Sequence, residues 1–150
     1  MPTLTGASKL ELLFRRSAGL DVDKSDLRRF DEFLNQKLYD LLLMGQVTAS
    51  SHGRDLIEPY DLPITKGLQN SLREFKQLDV ELELEPILEQ LETLPRLDLD
   101  YTNDTRDKLP EIAGALAVCL ARTFKILDPD VKNPQTRHWD QAIRIFNLLL

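Results

Sequence analysis

The sequence predicts an all-α protein, and three observations carry that prediction. Leucine supplies 30 of the 150 residues against 12 Val plus Ile, and long unbranched side chains favour helix over strand. Apolar residues recur at helical spacing along several separate stretches. The order of those stretches, short then long then short, occurs twice, which marks an internal repeat. Apolar residues make up 42% of the chain, enough for a domain of this size to bury about two thirds of its unfolded surface. A disordered tail is therefore excluded. The expectation is one compact domain over 1–150, built of two repeats at about 7–78 and 79–150.

The first helical signal runs from about Ser8 to Ser17, with Leu10, Leu13 and Phe14 on one stripe and Gly19 as its stop. Leu20 to Asp23 alternates like a short extended segment, and Ser25 is the expected N-cap of the next helix, with Asp26 in its first turn. Leu27, Phe30, Phe33, Leu34, Leu38, Leu41, Leu42 and Val47 keep helical register to Ser51, and His52 and Gly53 end it. At ~1.5 Å per residue this helix is roughly 38 Å long, more than a 75-residue half can wrap alone. A second extended scrap, Arg54 to Glu58, leads to Asp61 and Pro63, expected as N-cap and first-turn proline of a third helix. Ile64, Leu68, Leu72 and Phe75 make its stripe.

The second half answers element by element. Gly19-Leu20-Asp21-Val22-Asp23 recurs as Arg96-Leu97-Asp98-Leu99-Asp100, an offset of 77. Ahead of that copy lies a short helix starting near Pro86, with Ile87, Leu88, Leu91 and Leu94. Behind it a long stripe runs through Leu109, Ile112, Ala113, Leu116, Leu120, Phe124 and Leu127, with Pro110 leaving its start open. Ala142, Ile143, Phe146, Leu149 and Leu150 form the last stripe. Matching Asp140 to Asp61 stretches the offset to 79, which places a two-residue insertion near Tyr101 to Thr105.

This arrangement resembles the histone fold: a short helix, a β-like loop, a long central helix, a second such loop and a short helix. Two copies in one chain are similar to the bacterial single-chain double histone-fold proteins, over roughly residues 7–150. The resemblance implies a tandem histone fold forming an intramolecular pseudodimer, with Arg54 and Asp61 as the family's clamp on the second loop. A charge-assisted Arg–carboxylate contact would fix a loop with few backbone partners. In the second half Asn133 stands opposite Asp140, with Lys132 beside it, so the clamp is expected to be broken there. Two crossed long helices also solve the length problem, and Ile112 to Ala121, apolar nearly all round, fits a helix covered on most sides.

DNA binding is what a histone resemblance first implies. The net charge of −6 opposes it. Where histone-type proteins place a minor-groove Arg, the two copies carry Asp21 and Asp98. The remaining candidate nucleic-acid contacts are Lys24, Arg54, Arg96 and Lys132 on loops and Arg15 and Arg16 on the first helix, beside Lys9. Splitting the chain at Leu78 gives 11 basic and 11 acidic residues, then 8 and 14, and the stretch 79–111 alone holds 11 acids and 3 bases. The charge deficit thus belongs entirely to the repeat.

Catalytic signals are absent from the sequence: two histidines, His52 and His138, without a zinc-protease pair, a phosphate-binding Gly-rich loop or a nucleophile motif. Asp21, Asp23, Ser25 and Glu32 have an EF-hand-like spacing, but the turn glycine is Asp26. No catalytic residue, metal or cofactor is expected. Cys119, the lone cysteine, reads as a core residue and fits a reducing cytoplasmic setting, with the nucleoid as the alternative. Met1 to Gly6 lacks a signal-peptide layout, and no stretch reaches the ~20 apolar residues of a membrane span. Leu148, Leu149 and Leu150 cannot all face inward, which leaves apolar area for a partner or a second copy. The function expected is non-enzymatic association with a protein partner. The alternatives are weak, sequence-independent DNA binding and, from another class, a small metal-binding or enzymatic protein.

Overall fold

The computed structural model describes residues 7–150, with side chains from Lys9 onward, so the reading of Met1 to Gly6 lies outside the described residues. Six helices account for most of it. α1 (Ala7–Ala18), α2 (Leu27–Ser51) and α3 (Lys66–Gln77) are followed by α4 (Leu84–Leu91), α5 (Asn103–Leu127) and α6 (Thr136–Leu149). The short-long-short order therefore occurs twice, and both long helices have 25 residues. Two-residue strands β1 (Leu56–Ile57) and β2 (Asp100–Tyr101) pair in parallel across the halves.

Local chemistry sets most of the boundaries. Gly19 and Gly53 take φ of 65° and 70°, which glycine adopts at no steric cost, and so end α1 and α2. Thr65 and Thr102 accept from the backbone N–H of Leu68 and Thr105, capping α3 and α5. Two expected starts move. Ser25 sits inside a 3-10 turn, Lys24–Asp26, instead of capping α2. Asp61 closes a second such turn, Pro59–Asp61, and α3 begins five residues later. Pro110 lies inside α5, where its missing N–H leaves the helix one bond short.

The core is built across the halves. α5 lies at the centre, packed most extensively on α3 and α1 of the first half and also on α2, α4 and α6. Its run from Ile112 to Val118 is buried throughout, as are Leu120 and Ala121. Gly114 brings α5 so close to α3 that a Cβ there would lie 2.4 Å from the Phe75 ring. At one end, Phe14, Phe30, Phe124 and Trp139 form a chain of edge-to-face contacts with centroids 5.0–6.2 Å apart. These four rings come from α1, α2, α5 and α6, so they tie both halves together.

Candidate interaction surfaces

The loops meet in two crosswise pairs. β1 of the first half lies beside β2 of the second, and the Thr102 N–H donates to the Ile57 carbonyl at 3.1 Å. Thr105 Oγ1 donates to the same carbonyl at 2.7 Å from a fully buried position. At the other end the Asp21 N–H donates to the Lys132 carbonyl at 2.7 Å, and Asn133 Nδ2 donates to Asp23 Oδ1 at 2.8 Å. Each first loop is thus held by the second loop of the opposite half.

Arg54 and Asp61 form a bidentate pair, with Nη1 to Oδ2 at 2.7 Å and Nη2 to Oδ1 at 2.5 Å. The Asp61 side chain is wholly solvent-excluded, and its Oδ2 also accepts from the Glu58 N–H at 2.8 Å. The Arg54 guanidinium hydrogen bonds hold the Asp61 carboxyl below the usual carboxylate range, with the Glu58 N–H adding to them, against the opposing effect of burial. Arg54 also sits over the Tyr60 ring, 5.0 Å from its centroid. Both of its terminal nitrogens are thus engaged within the loop, while the side chain stays about a third exposed.

The second half holds its equivalent loop with a carboxylate–imidazole pair whose acid stands at the other end of the loop. Asn133 and Asp140 do not face each other: Asn133 bonds to Asp23, and Asp140 is exposed on α6. His138 takes the place of Asp61. Its Nδ1 accepts from the Gln135 N–H at 2.8 Å, as Asp61 accepts from Glu58, while Nε2 contacts Asp128 Oδ2 at 3.1 Å. Because Nδ1 is an acceptor, Nε2 carries the proton and donates it to the carboxylate. That bond is the main cause holding the Asp128 carboxyl below its ordinary range. From Asp61 to His138 is 77 residues, the offset of the repeated loop motif. The insertion expected near Tyr101 is therefore not needed to align the clamps.

The candidate cations are distributed over both loop pairs and α1. Lys24 and Lys132 lie exposed at the first loop pair, among exposed Asp21, Asp23 and Asp130. Arg54 and Arg96 belong to the second pair, with exposed Asp55, Asp98 and Asp100. Arg15 and Arg16 are exposed at the end of α1, where Arg16 Nη1 donates to the Leu78 carbonyl. His52 caps α2 with Nδ1 on the Thr48 carbonyl at 2.8 Å, so both histidines have structural contacts. Asp23 of the calcium-like spacing is bonded to Asn133, and among the described residues no group of three or more His, Cys, Asp or Glu is placed to hold a metal.

Three further features carry no clear sequence signal. A cavity of about 450 Å³ lies under the loop after α4, walled by Leu42, Leu88 and Leu91 and edged by Glu92, Arg96 and Arg106. Lys37, almost wholly buried between α2 and α6, bonds to Asp40 at 3.2 Å and to Asn147 Oδ1 at 2.6 Å. Cys119 is half-buried with its Sγ 2.9 Å from Ser71 Oγ, and burial pushes its thiol up, away from the reactive thiolate. Beside it the end of α5 and the last turn of α6 expose Ile126, Leu148 and Leu149.

The model of a family described as a domain of unknown function, DUF1931, matches residues 10–147. The chain belongs to that family. A curated relative from Aquifex aeolicus (strain VF5), described as uncharacterized, is 30% identical over 136 residues, 82% of this chain and 79% of the relative. A crystal structure of a Thermus thermophilus protein is 55% identical, with a TM-score of 0.95 over 99% of this chain and 100% of that one. A second crystal structure, of an Aquifex aeolicus protein, shares the fold at a TM-score of 0.82 with 21% identity, covering 100% of this chain and 99% of the other. The predominantly helical fold thus recurs in both crystal structures. Among the described residues, no helix is long and apolar enough to cross a membrane.

Proposed function

We propose that this DUF1931 chain is a tandem histone-fold pseudodimer that acts without catalysis, by associating with protein. Three features support the fold: the repeated short-long-short order, the crosswise loop pairs and the bidentate Arg54–Asp61 contact. The observation that carries the function is the pair of loop edges. Both are crowded with exposed aspartates where DNA wrapping needs cations. Apolar side chains stand exposed at the end of α5 and α6 instead, and exposed apolar area marks association surfaces.

A second reading, sequence-independent DNA binding, is favoured by exposed Arg15, Lys24 and Lys132. Titrating a labelled ~30 base-pair duplex at two salt concentrations, followed by anisotropy, separates the two. Protein association predicts no binding at low salt. Micromolar or tighter binding that weakens steeply with salt would establish phosphate neutralisation and overturn it.

A further inference from the structure

The repeat shows what the second loop pair lacks. At the first loop pair the rings of Phe14 and Phe30 meet edge to face with centroids 5.5 Å apart. An offset of 77 puts Leu91 in the place of Phe14, and counting from the starts of α2 and α5 puts Arg106 in the place of Phe30. Both substitutes line the cavity of about 450 Å³ under the loop after α4, so the space lies where the first half carries aromatic rings. That volume falls within the ~300–1,000 Å³ usual for small-molecule sites. One charged donor sits inside the wall. Arg106 Nε is buried and has no hydrogen-bond partner among the described residues, and Asp107 Oδ1, 3.5 Å away, does not accept from it. A guanidinium N–H shut away from water without an acceptor is costly. Tyr101, part-buried in the same wall, lies close enough to Arg106 for the guanidinium to act on its phenol. The Tyr39 hydroxyl is already given to the Pro95 carbonyl at 2.7 Å. The other charges here, Glu92, Arg96 and Asp100, are exposed and therefore screened by solvent.

We infer that this cavity binds a small aromatic monocarboxylate, its carboxylate accepting from Arg106 Nε and the Tyr101 hydroxyl and its ring lying against Leu42, Leu88 and Leu91. Such a ligand meets both needs of the site. It gives the buried N–H a charged acceptor, the stronger kind of hydrogen bond. It also covers leucine surface with a ring, as Phe14 and Phe30 do for each other at the opposite end. A neutral aromatic meets only the second need and an inorganic anion only the first. The site stands apart from the α6 end and does not depend on what the chain associates with.

An NMR titration of the full, ¹⁵N-labelled chain with 3-phenylpropionate, beside its neutral counterpart 3-phenylpropanamide, tests the site. The acid should bind with a Kd at or below ~1 mM, the scale expected of a ligand of about a dozen heavy atoms, and at least tenfold more tightly than the amide. Shifts should centre on the end of α4, the loop after it and the start of α5. Arg106→Gln should erase the preference for the acid while leaving the weak binding of the amide. Leu91→Phe, which returns a ring to the cavity, should abolish binding of both without lowering Tm, and thermal melts check that both variants fold. No saturable binding of the acid, equal affinity for acid and amide in the wild type, or an affinity that both variants leave unchanged overturns the proposal.

Discussion

Gly114→Ala is the substitution whose outcome the packing fixes most sharply. In an exposed helix interior this change stabilises by ~1 kcal/mol, because alanine loses less backbone entropy. Here the new Cβ would lie 2.4 Å from Cε1 and Cζ of Phe75 and 2.5 Å from Cδ1. Ordinary contact needs about 1 Å more, and three atoms of a rigid ring cannot yield independently. Phe75 is only 6% exposed, so the ring must push into α3's surroundings or the helices must part, which costs ~1–3 kcal/mol or more. The net expectation is destabilisation by ~1–2 kcal/mol, a fall of roughly 2–8 °C in Tm for a domain of this size. Guanidinium unfolding of wild type, Gly114→Ala, Phe75→Leu and the double variant measures it. In the Phe75→Leu background the same Gly114→Ala change should be neutral or stabilising. An equal cost in both backgrounds, or a gain in wild type, would refute a close α3–α5 approach.

Asp61→Asn keeps the shape of a solvent-excluded side chain but loses the charge that Arg54 pairs with; urea unfolding should show a loss of ~2–3 kcal/mol. Acid sensitivity follows from the same bonds. Asp61 and Asp128 are held below their ordinary range, so their contribution is complete above the unfolded-state value of ~3.9 and is lost as pH falls through the lower folded values. Between about pH 5 and 2 the wild type should therefore lose more stability than the Asp61→Asn/Asp128→Asn double variant, and parallel curves would contradict the linkage. His138→Gln retains an acceptor for the Gln135 N–H and should cost ~1 kcal/mol, whereas His138→Asp sets a carboxylate against Asp128 and should cost at least ~2 kcal/mol. Equal Tm values for those two variants would show that Asp128 does not face residue 138.

The elements were legible because their signals are local. Stripes such as Leu10, Leu13 and Phe14 mark a buried face, and glycines that accept positive φ mark helix ends. Errors arose where one side chain had two possible uses. Asp61 before Pro63 has the composition of an N-cap, but its oxygens are taken by Arg54 and by its own turn, which leaves Thr65 to cap α3. Ser25 likewise lies within a turn whose carbonyl at Asp23 already accepts from Asp26.

The second clamp was missed for a related reason. Looking for an acid where the first half has Asp61 selects Asp140 and shifts the register by two residues. The fold instead keeps a hydrogen-bonded pair and exchanges its ends, with the carboxylate at Asp128 after α5 and the imidazole at His138 in α6. Residue-by-residue matching cannot see a swap that only makes sense as a pair. Gly114 gave no signal either, since in a run of small apolar residues a glycine reads as another core position until α3 is laid against it.

Fusing two units in one chain explains why their ends differ so much. In the proposed pseudodimer neither half must pair with a copy of itself within its own core, so each can change on one side alone. At 77 residues Leu91 answers Phe14, and counting from the starts of α2 and α5, Arg106 answers Phe30. The first loop pair therefore sits on an aromatic cluster, whereas the loop after α4 covers a cavity and is tied by single bonds, Tyr39 Oη to the Pro95 carbonyl at 2.7 Å and the Leu99 N–H to Gln46 Oε1 at 3.0 Å. Charge diverges in step, balanced in the first half and acidic in the second. A surface that wraps DNA symmetrically gains from keeping both loop pairs basic and alike. Loop pairs that are acidic and unlike, on a skeleton whose α6 end exposes apolar crests, fit a module whose contacts are made at one end.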